Sequence, residues 1–302
     1  MNVARKHVAV IGGGVAGLTA ADALADRGIQ VSLFEKAPVL GGHAAQLACK
    51  ATDRCVKCGA CMVQDKLQCA SDRAHVDIYT AATVDAVSGC SPFSIRYRST
   101  SSSAEADTGT LTVDAILAAT GFATYDPVDK PYGYGLFPNV VTSLEAERIL
   151  ARAAKVKRPS DGGSADRIAF VQCVGSRETR FGHRWCSKIC CGSAMRMARL
   201  IQFRQPDAHI TFFYIDVQTF GKDFDDFYRD ARDRFEMIRA IPGDIHQTEA
   251  DKLEAIYFDP DTRQSTQGVF DVVVLSVGLL PCPGNAHLAG MLDHPLDADG
   301  FV

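Results

Sequence analysis

The chain has 302 residues and a hydrophobic fraction of 47%, enough for two ordinary domains with full cores, which argues against wholesale disorder. Its net charge of −4, without a basic stripe, gives no indication of nucleic-acid binding. No apolar run reaches the ~18 residues that span a bilayer, and the polar N-terminus leads straight into a strand, so we predict no transmembrane segment, no signal peptide and a cytoplasmic location.

Cysteines are abundant for such a chain. There are eleven, and nine of them fall into two groups, residues 49–69 and residues 173–191. A cytosolic protein keeps its thiols reduced, so clustered cysteines there are more often metal ligands or redox groups than disulfides.

The first strand, His7–Ile11, runs into a glycine loop that fits G-x-G-x-x-G, and a helix and a second strand, Gln30–Phe34, follow it. The loop and the start of its helix comprise Gly12, Gly14, Val15, Ala16 and Gly17. The three glycines allow a tight turn, close approach of the backbone to a pyrophosphate, and packing of the helix on the strand. The helix N-terminus offers amides to the phosphates, and Glu35 can bind the ribose hydroxyls, which favours FAD or NAD over NADP. A glycine-rich turn without a ligand is the disfavoured alternative, because all these features are in register.

The run from Glu35 to Gly42 resembles the second signature of two-dinucleotide-domain flavoproteins, and the apolar residues 114–121, ending in Ala-Thr-Gly, resemble their next signature. The resemblance implies FAD as the cofactor. It adds Lys36, Gly41, Gly42, Thr120 and Gly121 to the predicted binding residues.

The first cysteine group contains a Cys-x-x-Cys-x-x-Cys run, residues 55–61, which resembles the start of a ferredoxin cluster motif. Cys49 and Cys69 are candidate fourth ligands, but Cys69 is followed by Ala70 rather than the usual proline. A second cluster, a zinc site, redox-active thiols and a partner-binding loop all remain open.

The sequence of the middle of the chain predicts its structure and function less specifically. The polar residues 99–108 predict a hairpin tip between two strands. The aromatic loop of residues 121–135 fits either a flavin-lining segment or a crossover packed on the domain. A helix is predicted over residues 144–153 with Ser143 as its N-cap, and the polar residues 155–166 are interpreted as a linker.

The second half repeats the dinucleotide-domain pattern with one substitution. A strand at residues 167–171 is followed by Gln-Cys-Val-Gly-Ser instead of a glycine loop, then by a helix over residues 192–204 and by strands at residues 209–215 and 269–277. The phosphate cradle is therefore missing, and we predict that NAD(H) does not bind there.

Four cysteines, Cys173, Cys186, Cys190 and Cys191, occupy this altered loop and the start of its helix. We interpret them as ligands of an iron–sulfur cluster, since so many thiols in one loop are hard to explain as buried packing, the alternative. The helix N-terminus is expected to lower the thiolate pKa. The basic residues expected to offset cluster charge are Arg177, Arg180, His183, Arg184 and Lys188.

With these residues in view, the chain resembles the A subunit of heterodisulfide reductase. The matching segments are Phe-Val-Gln-Cys-Val-Gly-Ser-Arg at residues 170–177, Cys-Ser-Lys-Ile-Cys-Cys at 186–191, Phe-Tyr-Ile-Asp at 213–216, Phe-Gly-Lys at 220–222, Tyr-Gly-Tyr-Gly at 132–135 and Leu-Ser-Val-Gly-Leu at 275–279. The resemblance implies that the four cysteines ligate a [4Fe–4S] cluster beside FAD and that these cofactors, not catalytic side chains, carry the chemistry.

The resemblance further implies an oxidoreductase subunit of the short form found in sulfur-oxidising complexes and related to the quinone-interacting oxidoreductase A subunit. Its implied partners are heterodisulfide reductase-like B and C iron–sulfur subunits and a second copy of the chain. The alternatives are a stand-alone NAD(P)H-dependent disulfide oxidoreductase and a metal-stabilised FAD scaffold without catalysis.

The predicted fold is α/β, with two Rossmann-like dinucleotide-binding domains of the thioredoxin reductase-like type, the second carrying a cluster in place of NAD. The first, FAD-binding domain is predicted at residues 1–154, with a cysteine-rich insertion at 49–69, and the second at residues 167–278. Residues 279–302 are predicted to return toward the first domain and to stop short of the Gly-Asp signature that contacts FAD.

Overall fold

The computed structural model describes residues 5–55, 58–100, 107–218 and 221–302. The chain forms two compact units. The first comprises Met1–Gln46, Gly59–Ala123 and Pro281–Val302, and the second comprises Leu47–Cys58 and Thr124–Leu280. Within the described ranges, we find no helix whose length and apolar character would let it cross a membrane.

In chain order, the strands are β1 (His7–Ile11), β2 (Gln30–Phe34), β3 (Val76–Tyr79), β4 (Ala82–Ser88), β5 (Phe93–Ser99), β6 (Asp107–Val113), β7 (Ala115–Ala118), β8 (Phe122–Thr124), β9 (Val140–Thr142), β10 (Arg167–Val174), β11 (His209–Phe213), β12 (Glu236–Ile238), β13 (Asp244–Gln247), β14 (Leu253–Asp259), β15 (Gln264–Phe270), β16 (Val272–Val277) and β17 (Leu279–Pro281). The helices are α1 (Val15–Ala25), α2 (Met62–Ser71), α3 (Ser143–Arg152), α4 (Cys190–Arg204), α5 (Phe224–Arg234) and α6 (Asn285–Leu292), with short 3-10 helices at Gly42–Gln46 and Thr179–Phe181.

A four-stranded parallel sheet with the order β3-β2-β1-β7 organises the first unit. Successive side chains of a strand point to opposite faces. Val10 of β1 accordingly packs in one core with Leu18 of α1, whereas Ala9 packs in another with Ile95 of β5, which belongs to the antiparallel sheet β4-β5-β6. Since all four strands are parallel, the ends of β1, β2 and β7 that face the cofactor loops lie at one edge of the sheet.

The second unit follows the same plan around a five-stranded parallel sheet with the order β12-β11-β10-β16-β9. Phe170 of β10 packs in the core that contains Met195 of α4, and its ring stacks on that of Phe212 at 5.0 Å. Val171 packs in the other core with Leu253 of the antiparallel sheet β13-β14-β15. The predicted α/β class is confirmed, and both units are helix-on-sheet layers capped by a three-stranded sheet.

Several segments differ from the sequence-based expectation. β9 pairs with β16, so residues that we predicted at the end of the first domain complete the second sheet. Val156 and Ala165 are buried in the same core, so residues 155–166 are part of this unit rather than a linker. The N-cap of α3 is Thr142, not Ser143, because Thr142 and Glu145 form a reciprocal capping box.

The predicted hairpin between β5 and β6 is present as an antiparallel pair. Residues 101–106 of its expected tip lie outside the described residues, as does Phe220 of the Phe-Gly-Lys segment.

A buried ion pair anchors residues 47–58 in the second unit. Lys50 is 4% exposed, and its Nζ donates to Glu147 Oε2 at 2.5 Å and to the Ala48 carbonyl oxygen at 2.7 Å. The Ala48 amide also donates to Glu147 Oε2, at 2.9 Å. Removing one partner of such a pair leaves an uncompensated buried charge.

We therefore expect Lys50→Ala to lower the free energy of unfolding of the second unit by about 3–5 kcal/mol. Trp185, the single tryptophan of the chain, belongs to this unit, so urea unfolding followed by its fluorescence measures the change. Arg229→Ala, from the exposed pair Arg229–Asp226 on α5, is the matched control and should stay near the wild type. An equal shift in both variants would contradict the expectation.

Candidate functional site

The glycine loop of the first unit has the conformation that its sequence predicts. Gly12 has φ of 115°, in the region that favours glycine. A Cβ on Gly17 would lie 1.8 Å from the Gly12 carbonyl oxygen, so α1 approaches the loop as closely as only glycine permits. Both glycines are therefore required by the fold itself.

Gly14 differs from these two glycines, because the described residues leave room for a side chain at its position. A Cβ there would meet no atom within 4 Å, and Gly14 is the residue from which α1 starts. The open space beside Gly14, at the start of this helix, leaves room for the close approach of a pyrophosphate that FAD requires.

Glu35 is 8% exposed and ties the end of β2 to the glycine loop. Its Oε2 accepts from the Gly13 amide and its Oε1 from the Ala37 amide, each at 2.7 Å. A carboxylate oxygen has two lone pairs, so both oxygens keep capacity for ribose hydroxyls.

The remaining predicted FAD residues lie in the same unit. The Gly41 amide donates to the Gly13 carbonyl at 2.7 Å, Lys36 Nζ contacts Cys282 Sγ at 3.5 Å, and Thr120 Oγ1 donates to Asn285 Oδ1 at 2.9 Å. All eleven lie in the segments that follow β1, β2 and β7 along the chain. They are Gly12, Gly14, Val15, Ala16, Gly17, Glu35, Lys36, Gly41, Gly42, Thr120 and Gly121.

His43 is a residue that the sequence reasoning missed. It follows Gly42, its ring stacks on Phe122 at 4.7 Å, and its Nε2 contacts the Phe122 carbonyl oxygen at 3.0 Å. Its Nδ1 is buried without a hydrogen-bond partner among the described residues. The position directly after the Gly-Gly pair was the only signal in the sequence.

In the second unit, β10 does not end in a glycine loop. Its pairing with β16 shifts between Val171 and Val174, and Cys173 within this bulge has φ of 62°. The loop of residues 175–189 follows, and α4 begins at Cys190.

This loop is fixed at several points. Ser187 Oγ lies 2.7 Å from Ser176 Oγ and accepts from the Leu279 amide at 2.8 Å. Trp185 Nε1 donates to the Leu279 carbonyl oxygen at 2.9 Å. A Cβ on Gly175 would lie 2.1 Å from the ring of Tyr125, which is buried in the core of this unit. Of the two interpretations of the aromatic loop, the packed crossover therefore describes Tyr125.

Cys190 and Cys191 are buried in the first turn of α4, and Cys173 and Cys186 are half-buried. Burial, with the charges of Cys191 and Cys190 next, raises the pKa of Cys173 to about 12. Burial and the charges of Cys191 and Cys186 raise the pKa of Cys190 to about 11. The four thiols are thus electrostatic neighbours, a donor set of the type that holds an iron–sulfur cluster.

One sequence-based expectation needs correction here. The pKa of each buried thiol is raised, not lowered, because desolvation outweighs the helix N-terminus. Arg177 pairs with Asp216 at 2.6 Å, and its charge also acts to lower the pKa of Cys173, against the larger effect of burial. Within the described ranges, moreover, the structure does not bring three or more His, Cys, Asp or Glu side chains into a metal-binding arrangement.

The raised pKa values predict slow alkylation of Cys173 and Cys190 at pH 8 in metal-free protein, because only the thiolate reacts. Since each folded-state pKa lies above the ordinary 9.0, the stability that the protonated thiols contribute is present below about pH 9 and is lost as the pH rises toward 11–12. Mass spectrometry of iodoacetamide-treated protein over a pH series measures the reaction. The exposed reference thiols are Cys49, Cys55, Cys58 and Cys61. Modification of Cys190 at pH 8 as fast as that of these thiols would contradict the prediction.

The first cysteine group is divided between the units. Cys49, Cys55 and Cys58 are exposed residues of the second unit, and Cys61 is an exposed residue of the first. Cys69 is half-buried on α2, and residues 56–57 lie outside the described residues. The structure therefore leaves every interpretation of this group as a prediction.

Residues 10–62 match the NAD(P)-binding Rossmann-like domain family. The thioredoxin reductase of T. acidophilum aligns with 99% of this chain and 84% of its own, with a TM-score of 0.60 and 16% identity. The thioredoxin reductase of Lactococcus lactis gives the same coverage and TM-score at 17% identity. The fold is therefore that of the two-dinucleotide-domain flavoproteins, of the thioredoxin reductase-like type.

Similarity in sequence indicates a narrower group of proteins than similarity in fold does. The chain is 30% identical to the iron-sulfur A subunit of the CoB–CoM heterodisulfide reductase of Methanocaldococcus jannaschii, covering 98% of this chain and 57% of that protein. It is 28% identical to the A subunit of the H(2):CoB-CoM heterodisulfide,ferredoxin reductase of Methanothermobacter thermautotrophicus, covering 97% and 56%. The chain spans little more than half the length of these relatives. Over nearly its whole length, the chain is similar to the A subunits of these heterodisulfide reductases.

Proposed function

We propose that the chain is an oxidoreductase subunit that binds FAD in its first unit and a [4Fe–4S] cluster in its second, and that relays electrons within a heterodisulfide reductase-like complex. The observation that carries the proposal is the set of four cysteines at the end of β10, in the loop after it and at the start of α4, where the first unit has its glycine loop. When bound, FAD would exchange electrons in pairs or one at a time, and the cluster would exchange them one at a time.

Residues of the chain bind and orient these groups. The amides at the start of α1 would hold the pyrophosphate, and Glu35 the ribose hydroxyls. Cys173, Cys186, Cys190 and Cys191 would hold the iron. Burial of Cys190 and Cys191 would exclude water from that side of the cluster, and the hydrogen-bonded loop through Ser187 and Trp185 would fix the other ligands.

The relatives are named as subunits, which supports partner subunits for this chain as well. We propose iron–sulfur proteins of the heterodisulfide reductase B and C type as those partners, a second copy of the chain as a further one, and sulfur metabolism in the cytoplasm as the setting.

Stepwise anaerobic reduction tests the proposal. Dithionite should deliver about three electrons per chain, two that bleach the flavin absorbance and one that produces an electron paramagnetic resonance signal of a reduced cluster. NADH alone should leave the flavin oxidised, because the second unit lacks the phosphate cradle. Rapid reduction by NADH would favour a stand-alone disulfide oxidoreductase, and a two-electron end point with bound zinc would favour a scaffold.

A further inference from the structure

Two polar side chains of the second sheet are buried without a hydrogen-bond partner among the described residues. Gln172 on β10 is 3% exposed, and neither its Nε2 nor its Oε1 is bonded. Ser276 on β16 is fully buried, and its Oγ is unbonded as well. Because buried polar groups in folded proteins are nearly always satisfied, such a pair needs a partner that the described residues do not supply.

The alternation of the strands places both side chains on one face. Phe170 of β10 and Val274 of β16 belong to the core that contains α4, whereas Val171 and Leu275 belong to the opposite core. Gln172 and Ser276 each lie two residues beyond a member of the first core, so both are on the α4 face.

They are also close along the sheet. β10 and β16 are neighbours, with Val171 opposite Leu275 and Val174 opposite Val277. Between these two pairs, near the ends of both strands, lie Gln172 on β10 and Ser276 on β16. Cys173 follows Gln172 directly, and α4, which packs on β10 and β16, begins at Cys190. The unbonded polar side chains therefore lie next to Cys173 along the chain and on the face of the sheet that α4 covers.

We propose that the Gln172 amide and the Ser276 hydroxyl donate hydrogen bonds to the sulfurs of the group held by Cys173, Cys186, Cys190 and Cys191, and thereby raise its reduction potential. This inference rests on the proposed function. Reduction adds an electron to an already anionic cluster, and donors to its sulfurs stabilise the reduced form more than the oxidised form. Gln172 and Ser276 are positioning residues, since they are not ligands of the iron.

The test is a redox titration of anaerobically purified protein, followed by the electron paramagnetic resonance signal of the reduced cluster. Ser276→Ala and Gln172→Leu should keep the wild-type iron and sulfide content, and each should shift the midpoint potential to a more negative value, with a larger shift in the double variant. Ser276→Thr keeps the hydroxyl and should restore the wild-type potential.

Asn139→Ala is the matched control. Asn139 is fully buried with an unbonded Nδ2, but it precedes β9, at the opposite end of the same sheet. This variant should lower stability and leave the potential unchanged.

Unchanged potentials in Ser276→Ala and Gln172→Leu, in protein that retains its iron, would overturn this inference and leave the proposed function standing. Loss of iron from Ser276→Ala would assign a purely structural role to the hydroxyl and overturn it too. Wild-type protein without iron or sulfide would overturn both.

Discussion

Cys190→Ala is expected to remove about four irons and four sulfides per chain while leaving the flavin bound. Cys190 is 9% exposed and opens α4, so no solvent ligand can replace its sulfur without opening the core. A cluster with one buried ligand missing loses the convergent thiolate set that holds it. The residues proposed to bind the flavin lie in the first unit, and Cys190 belongs to the second. Iron and sulfide assays with a flavin spectrum on the same sample measure the result.

Cys90→Ala is the control for this experiment, because Cys90 is exposed and isolated in the first unit. It should keep the full iron content. Wild-type iron in Cys190→Ala would contradict the assignment of the ligands, and equal losses in both variants would point to general damage.

Gly14→Ala is expected to fold normally and to lose its flavin. Its Cβ would meet no protein atom within 4 Å, but it would stand in the cradle where the backbone must approach the pyrophosphate. We expect flavin affinity to fall at least about tenfold, equivalent to about 1.4 kcal/mol. Flavin fluorescence after gel filtration measures retention, and circular dichroism of the apoprotein measures folding.

Two glycine variants separate ligand contact from folding. Gly290→Ala on α6 also places a Cβ in open space, but Gly290 is not one of the predicted FAD residues, so this variant should retain the flavin. Gly17→Ala forces a Cβ against the Gly12 carbonyl oxygen and should damage the fold itself. Full flavin retention by Gly14→Ala would contradict the cradle.

The sequence predicted the glycine loop, the bounds of β1 and β2 and the lack of a glycine loop after β10, because these depend on local patterns: period-two apolar strands, glycines with defined roles, and closely spaced cysteines. Gly12 and Gly17 were predictable from their residue type, because only glycine fits the conformation or the close contact found at these positions. The predicted start of β10 and the predicted end of α4 were correct for the same reason.

Long-range pairing was not predictable in this way. β9 joins the second sheet through contacts with β16, which lies about 130 residues later, and no local pattern encodes that partner. The raised thiol pKa values follow from burial, which also depends on the whole fold. Gln172 and Ser276 had a visible signal, a single polar residue inside each apolar run, but only the structure shows that both lie unbonded on one face.

The central claim is that a cluster-binding loop replaces the second nucleotide cradle, and counting cofactors in anaerobically purified wild-type protein tests it most directly. We expect one flavin with about four irons and four acid-labile sulfides per chain, and about eight irons if the first cysteine group also holds a cluster. Zinc without iron or sulfide would contradict it.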